Sequence, residues 1–158
     1  MKIRKIEAAD NKVIAAIVTE VMQEFNADPQ TTVLGDPSLH TMFGNYNIDR
    51  SVYYVIEIDN KVIGGCGIKQ LDGAEPDICE LQRMFFLKEA RGKGLGKIIL
   101  SHCIHEAKSF NYKQIYIESM SNMSEAIGLY KSLGFKRIQG LLGKTGHTGC
   151  DVHMILDI

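Results

Sequence analysis

The stretch ARGKGLGKIIL, residues 90–100, decides how the rest of the chain is read. Glycines at 92, 94 and 96 alternate with Lys93 and Leu95, and an apolar run begins at once. Glycine lets a backbone turn sharply and present its N–H groups without side-chain obstruction. The apolar run predicts a helix from about Gly94 to Phe110. A helix N-terminus carries partial positive charge and unpaired donors, so the junction predicts an anion-binding turn, with Arg91, Lys93 and Lys97 adding charge around it. A glycine-rich helix start without a ligand is the plain alternative.

Two common phosphate loops fail here. A dinucleotide fingerprint needs G-x-G-x-x-G, and its third glycine would stand at Lys97. A Walker loop needs G-x-x-x-x-G-K-[ST]. Gly143-Lys144-Thr145 offers its end, but Ile138 stands where the first glycine belongs and no strong helix signal follows. The pattern that fits is R-x-x-G-x-G, carried by Arg91, Gly94 and Gly96 directly after a strand.

The order of elements follows outward from this turn. Upstream, ICELQRMFFL reads as a strand, and SVYYVIEIDNKVIGGCGIKQL as two strands joined in a hairpin at Asp59-Asn60. Before these, KIRKIE alternates as a short strand. Ile14, Ile17, Val18, Val21, Met22 and Phe25 then repeat at helical spacing, with Asp10 or Asn11 as the cap. Residues 36–46 predict a short second helix. Downstream, QIYIESM is a strand, residues 124–133 a helix, and FKRIQGLL and DVHMILDI are strands around a glycine-rich loop. The result is an α/β chain (α+β, three layers), with a mixed, mostly antiparallel sheet of about seven strands flanked by helices. No linker or repeat divides it, so residues 1–158 are expected to form one domain.

The totals exclude several functions. The net charge is -1, which does not fit a nucleic-acid binder. No apolar run reaches the roughly 20 residues that span a bilayer, and the start lacks a signal-peptide core. Cys66, Cys79, Cys103 and Cys150 form no C-x-x-C pair, so reduced thiols and a cytoplasmic location are expected. The charge is nonetheless unevenly spread. Residues 13–49 hold five acids and no Lys or Arg, and residues 70–82 hold four acids and no base. Residues 83–144 hold eleven Lys or Arg against four acids. That division fits two ligands of opposite charge, and equally an uneven scatter on solvated faces.

Arg91–Gly96 resembles the acyl-coenzyme A loop of the GNAT superfamily of N-acetyltransferases. AIGLYKSLGF, residues 126–135, is similar to that family's A-x-x-L-Y-x-x-x-G-F signature, and Asn122 stands where the family often has an Asn against the cofactor. The element order matches along nearly the whole chain. The resemblance implies acetyl-coenzyme A (acetyl-CoA) as donor and an amine as acceptor. It implies a cofactor site made of Met84, Phe85 and Phe86 at the strand end, Arg91, Gly92, Lys93, Gly94, Leu95, Gly96 and Lys97 in the loop, and Asn122 and Tyr130. Tyr130 is the implied proton donor to the leaving thiolate; packing as a plain aromatic is its other reading. Glu80 is the implied general base, on a face expected to hold Glu80, Gln82, Met84 and Phe86 together. A salt bridge from Glu80 to Arg83 or Lys69, or proton relay by water, stays open.

The two acidic segments match parts of the family fold that border the acceptor. A cationic small-molecule amine is therefore expected: a polyamine or aminoalkyl compound, with a lysine or N-terminal amine also open. The loop GLLGKTGHTGC, residues 140–150, is long for a hairpin turn and would bring His147 near the acceptor if it folds over that site. His147-x-x-Cys150-x-x-His153 resembles a zinc spacing but lacks a second half, so no metal is expected. Cys150 as an acyl-carrying nucleophile has no base at readable spacing. A homodimer is left open. The competing functions are a non-catalytic acyl-CoA-binding regulatory module and a nucleotide-binding phosphotransferase using LGKTGHTG.

Overall fold

The computed structural model describes all residues, 1–158. Seven strands form one sheet in the order β1-β2-β3-β4-β5-β7-β6. They are β1 (Lys2–Lys5), β2 (Val52–Ile58), β3 (Lys61–Gln70), β4 (Ile78–Phe86), β5 (Gln114–Ser119), β6 (Lys136–Ile138) and β7 (Val152–Asp157). Every neighbouring pair is antiparallel except β4 and β5. Four α-helices cover the sheet: α1 (Asn11–Glu24), α2 (Met42–Tyr46), α3 (Leu95–Ser109) and α4 (Ser124–Ser132). No helix is long and apolar enough to cross a membrane.

Alternation along β2 divides the core into layers. Tyr53 and Val55 pack with Ile14, Val18 and Met42 of α1 and α2. Val52, Tyr54 and Ile56 pack with Ile99 and Cys103 of α3 and Tyr130 of α4. A strand whose successive side chains point to opposite faces can serve two helical layers at once. The β2–β3 turn places Asp59 and Asn60 at φ 49° and 60°, the pair of positive φ values that a two-residue hairpin turn needs.

Three local expectations change. Asp10 does not cap α1. Its carboxylate accepts from the Glu7 N–H at 2.8 Å and from Arg4 at 2.6 Å, closing a tight turn before the helix. Asn11 instead accepts from the Phe43 N–H at 2.8 Å, tying α1 to α2. Residues 36–46 form a 3-10 turn (Pro37–Thr41) before the single α-helical turn of α2.

The third change shapes the site. Arg83 sits in β4 at φ 54°, and the β3–β4 register slips between Gly65 and Gly67. This is a β-bulge, which leaves two consecutive residues on one face and reverses the phase beyond them. Gln82 and Arg83 both reach the α1–α2 side, to Tyr46 and to Asp36 and Ser38. Met84 and Phe86 therefore pack on the α3 side, and Phe85 on the α1 side. Glu80 and Gln82 do not share a face with Met84 and Phe86. The bulge is held at its carbonyl: the Tyr53 hydroxyl donates to Arg83 O at 2.9 Å. Gly65 and Gly67 permit this, because a Cβ at either would meet the Tyr53 ring at 2.4 or 2.6 Å.

Candidate active site

β4 and β5 pair only through Ile78–Gln114, Cys79–Ile115 and Glu80–Tyr116. Beyond Glu80 the two strands part, and the gap opens as a cleft of about 500 Å³. Leu81 and Arg83–Phe86 form one wall, Glu118 and Ser119 another, with the α3 turn and α4 closing the far end.

The α3 turn leaves its main-chain amides unpaired. Gly92 and Gly94 adopt φ of 70° and 75°, a region that disfavours any side chain. No side chain caps α3. The backbone N–H groups of residues 92–97 donate to no protein acceptor; the first amide to do so is that of Ile98, to Gly94 O at 3.2 Å. Six consecutive free donors at a helix N-terminus are suited to a polyanion such as a diphosphate. Lys93 and Lys97 stand exposed beside them. Arg91 lines the cleft but spends its charge elsewhere, pairing with Glu24 at 2.7 Å while its Nε donates to Phe86 O at 2.8 Å. It staples the turn to α1 and β4. Asn122 lines the same cleft, and its amide donates to Phe25 O at 3.0 Å.

Tyr130 enters this cleft from α4. It is 5% exposed, stacks obliquely on Phe135 at 5.8 Å, and its hydroxyl has no protein partner. Burial holds its pKa above the usual phenol value, so it is a protonated donor throughout the neutral range.

Glu80 and His147 lie in a second cavity of about 70 Å³, with Cys150. The two cavities share Leu81, Arg83, Phe85, Glu118, Ser119 and Met123 in their walls. The loop of residues 140–150 thus does fold over the β4–β5 junction and deliver His147. Neither suggested salt bridge to Glu80 forms: Arg83 goes to Asp36, and Lys69 donates to Asn45 at 3.2 Å. Instead a chain orients the carboxylate. The Tyr46 hydroxyl donates to Gln82 Oε1 at 2.7 Å, and Gln82 Nε2 donates to Glu80 Oε2. Burial pushes the Glu80 pKa up to about 7, with Glu118 adding to the effect and the Gln82 bond opposing it. Burial also lowers His147, leaving a neutral imidazole, and pushes the Cys150 thiol up to about 12, which removes it as a ready nucleophile.

Glu118 was not legible as a site residue. It faces both cavities and accepts from the Tyr116 hydroxyl at 2.9 Å and the Thr145 hydroxyl at 2.7 Å. Carboxylate and imidazole atoms of Glu80, Glu118 and His147 lie within 4.8 Å of one another, and they are the group of side chains able to ligate a metal ion. The zinc-like spacing does not assemble as written: His147 and Cys150 line the cavity, while His153 stacks on Tyr116.

Comparison with known proteins decides the family. The model of the acetyltransferase (GNAT) family matches residues 15–135. The chain belongs to the GNAT family. It is 40% identical over 157 residues to an uncharacterized N-acetyltransferase, YjgM, of Escherichia coli, covering 98% of this chain and 93% of that one. An acetyltransferase of the GNAT family from Staphylococcus aureus superposes with a TM-score of 0.87 at 19% identity, over 99% of this chain and 98% of the other. YncA of Salmonella typhimurium, solved with acetyl-CoA, superposes with a TM-score of 0.76 at 22% identity, over 99% and 93%. This GNAT protein is therefore an N-acetyltransferase that draws its acetyl group from acetyl-CoA.

Proposed function

We propose that this acetyltransferase, a single domain over residues 1–158, modifies a primary amine on a small cationic acceptor, by direct attack while both substrates are bound. The observation that carries this reading is the meeting of two unlike cavities across β4: one ends in six free amides, the other holds a buried carboxylate poised near neutrality.

The amides of residues 92–97 hold the diphosphate, and Lys93 and Lys97 add attraction from outside. Acetyl-CoA supplies the thioester. The edge of β4 that β5 leaves beyond Glu80 offers main-chain groups to the arm that carries it, apart from the Arg83 and Phe86 carbonyls, which Tyr53 and Arg91 occupy. Glu80 takes a proton from the acceptor ammonium and frees its lone pair. With a pKa of about 7 it is substantially ionised at neutral pH yet basic enough to act. Tyr130 donates its hydroxyl hydrogen toward the departing sulfur, whose conjugate acid has a pKa of about 8.5. The acidic first half contributes Asp36 near the acceptor cavity, where its charge acts on His147.

A thiol-release assay with acetyl-CoA across polyamines, aminoalkyl compounds, aminoglycosides and lysine peptides tests the reading. Direct transfer gives intersecting double-reciprocal lines and highest kcat/KM with a cationic amine. Activity confined to neutral or acidic amines, or parallel lines with an acetylated protein, contradicts it.

A further inference from the structure

Glu118 has no part in the proton transfers above, yet the fold invests two hydroxyl donors in fixing it. Its neighbours have spare capacity. One oxygen of Glu80 accepts from Gln82, and the other has no protein partner; the residue is only 5% exposed. The His147 side chain makes no hydrogen bond, and its lowered pKa leaves one ring nitrogen as an acceptor. Glu118 is itself a carboxylate with lone pairs left after its two bonds. Three acceptors from three elements thus converge on one small cavity, within 4.8 Å of one another.

The 4.8 Å limit on their separations has room for a particular guest. Three N–H bonds fanning tetrahedrally from one nitrogen, each reaching an acceptor at about 2.8 Å, place those acceptors about 4.6 Å apart. A zinc ion would hold the same atoms at about 3.4 Å, given bonds of about 2.1 Å, so the metal content of the protein separates the two guests. The cavity has room for about five waters, enough for the end of an alkylamine; an N-methylated ammonium brings only two N–H donors to the three acceptors.

We propose that Glu80, Glu118 and His147 form a three-point receptor for a primary ammonium group, with Glu118 as the residue that selects its positive charge. The proposal rests on the amine-acceptor reading above. When Glu80 removes one proton, the nitrogen becomes neutral with its new lone pair toward Glu80, and the amine then turns in the cavity to bring that lone pair to the thioester carbon. Glu118 acts on Glu80 as well, since a neighbouring negative charge resists ionisation of the Glu80 carboxyl. The other charged or titratable groups facing Glu80 are Arg83 on its own strand and Asp72 after β3. Tyr46 of α2, Tyr116 of β5 and Cys150 of the loop also face it, all three with pKa values above neutrality. Of the carboxylates, Glu118 is the one whose charge acts most strongly on Glu80.

The test uses the full chain and three variants: Glu118→Gln, Glu118→Asp and His147→Ala. With 1,3-diaminopropane as acceptor, Glu118→Gln raises the amine KM at least tenfold, and Glu118→Asp recovers part of the loss. The KM for acetyl-CoA stays within about threefold, and the acid limb of kcat/KM moves to lower pH. The N-methylated secondary amine is at least tenfold poorer than the primary one on the unaltered protein. Two readouts do not depend on turnover: titration of the ¹³C-labelled Glu80 carboxyl, which moves down in Glu118→Gln, and the His147 ring signals, which shift on adding 1,3-diaminopropane. Absence of turnover with every amine, alongside the expected titration and ring shifts, sinks the acetylation reading and leaves the receptor standing. Normal turnover with an unmoved KM and an unmoved Glu80 titration in Glu118→Gln overturns the receptor. So does stoichiometric zinc held by these three residues in the purified protein.

Discussion

The cleft proposed for acetyl-CoA and the cavity proposed for the acceptor share a wall on β4, but they are made of different material. The cleft end is main chain: consecutive amides released by glycines at positive φ, over one short stretch of sequence. The second cavity is side chain: Glu80 from β4, Glu118 from β5 and His147 from a long loop, with the two carboxylates fixed by Gln82, Tyr116 and Thr145. A backbone site tolerates changes of side chain but not of conformation. A side-chain site behaves the other way round.

Substitutions can break that contrast or sharpen it. The largest effect is expected at Glu80. Glu80→Gln lowers kcat/KM on the order of 10³-fold and abolishes the acid limb near pH 7, while acetyl-CoA affinity, read by calorimetry, stays within about twofold. The same change alters stability with a definite sign. Glu80 in the folded chain titrates at about 7, above its ordinary 4.5, so the native state binds the extra proton and loses stability as pH rises between these values. Glu80→Gln should therefore raise the denaturation midpoint at pH 8, by up to about 3 kcal/mol of stability, and give no such gain at pH 4. Tyr130→Phe comes next: kcat falls on the order of 10²-fold with little change in acetyl-CoA affinity, because the hydroxyl has no structural partner to lose.

On the backbone side the effects are smaller and fall on cofactor binding. Gly94→Ala meets no neighbouring atom within 4 Å, so its cost is purely the positive φ, about 1 kcal/mol of stability and roughly a tenfold rise in acetyl-CoA KM. Lys97→Ala, at an exposed side chain, costs about two- to threefold in acetyl-CoA affinity at low salt, and the difference fades as ionic strength increases.

The same contrast explains what could be read in advance. Arg91–Gly96 announced itself because the role proposed for it needs only local conformation, and local conformation is written in glycine spacing. The order of elements along the chain followed because β2 and β3 flank a two-residue turn and α1 carries an unbroken apolar stripe. The bulge at Arg83 was invisible: arginine gives no sign of a positive φ, and the cause lies in a tyrosine on β2 and glycines on β3. The assumed face of β4 was wrong from that point on. Glu118 was passed over for a related reason. Its neighbours Glu80 and His147 are distant in the chain, and only the parting of β4 and β5 brings the three together. Asp10 and Asn11 looked like interchangeable caps and instead serve Arg4 and Phe43, partners that tertiary packing supplies.

The central claim is that the free amides of residues 92–97 grip the diphosphate of acetyl-CoA. Backbone ¹⁵N–¹H spectra with increasing coenzyme A test it most directly. The account predicts that these six amide signals move downfield together at saturation and exchange more slowly with solvent. If coenzyme A binds while those six signals stay in place, the polyanion sits elsewhere and the account is contradicted.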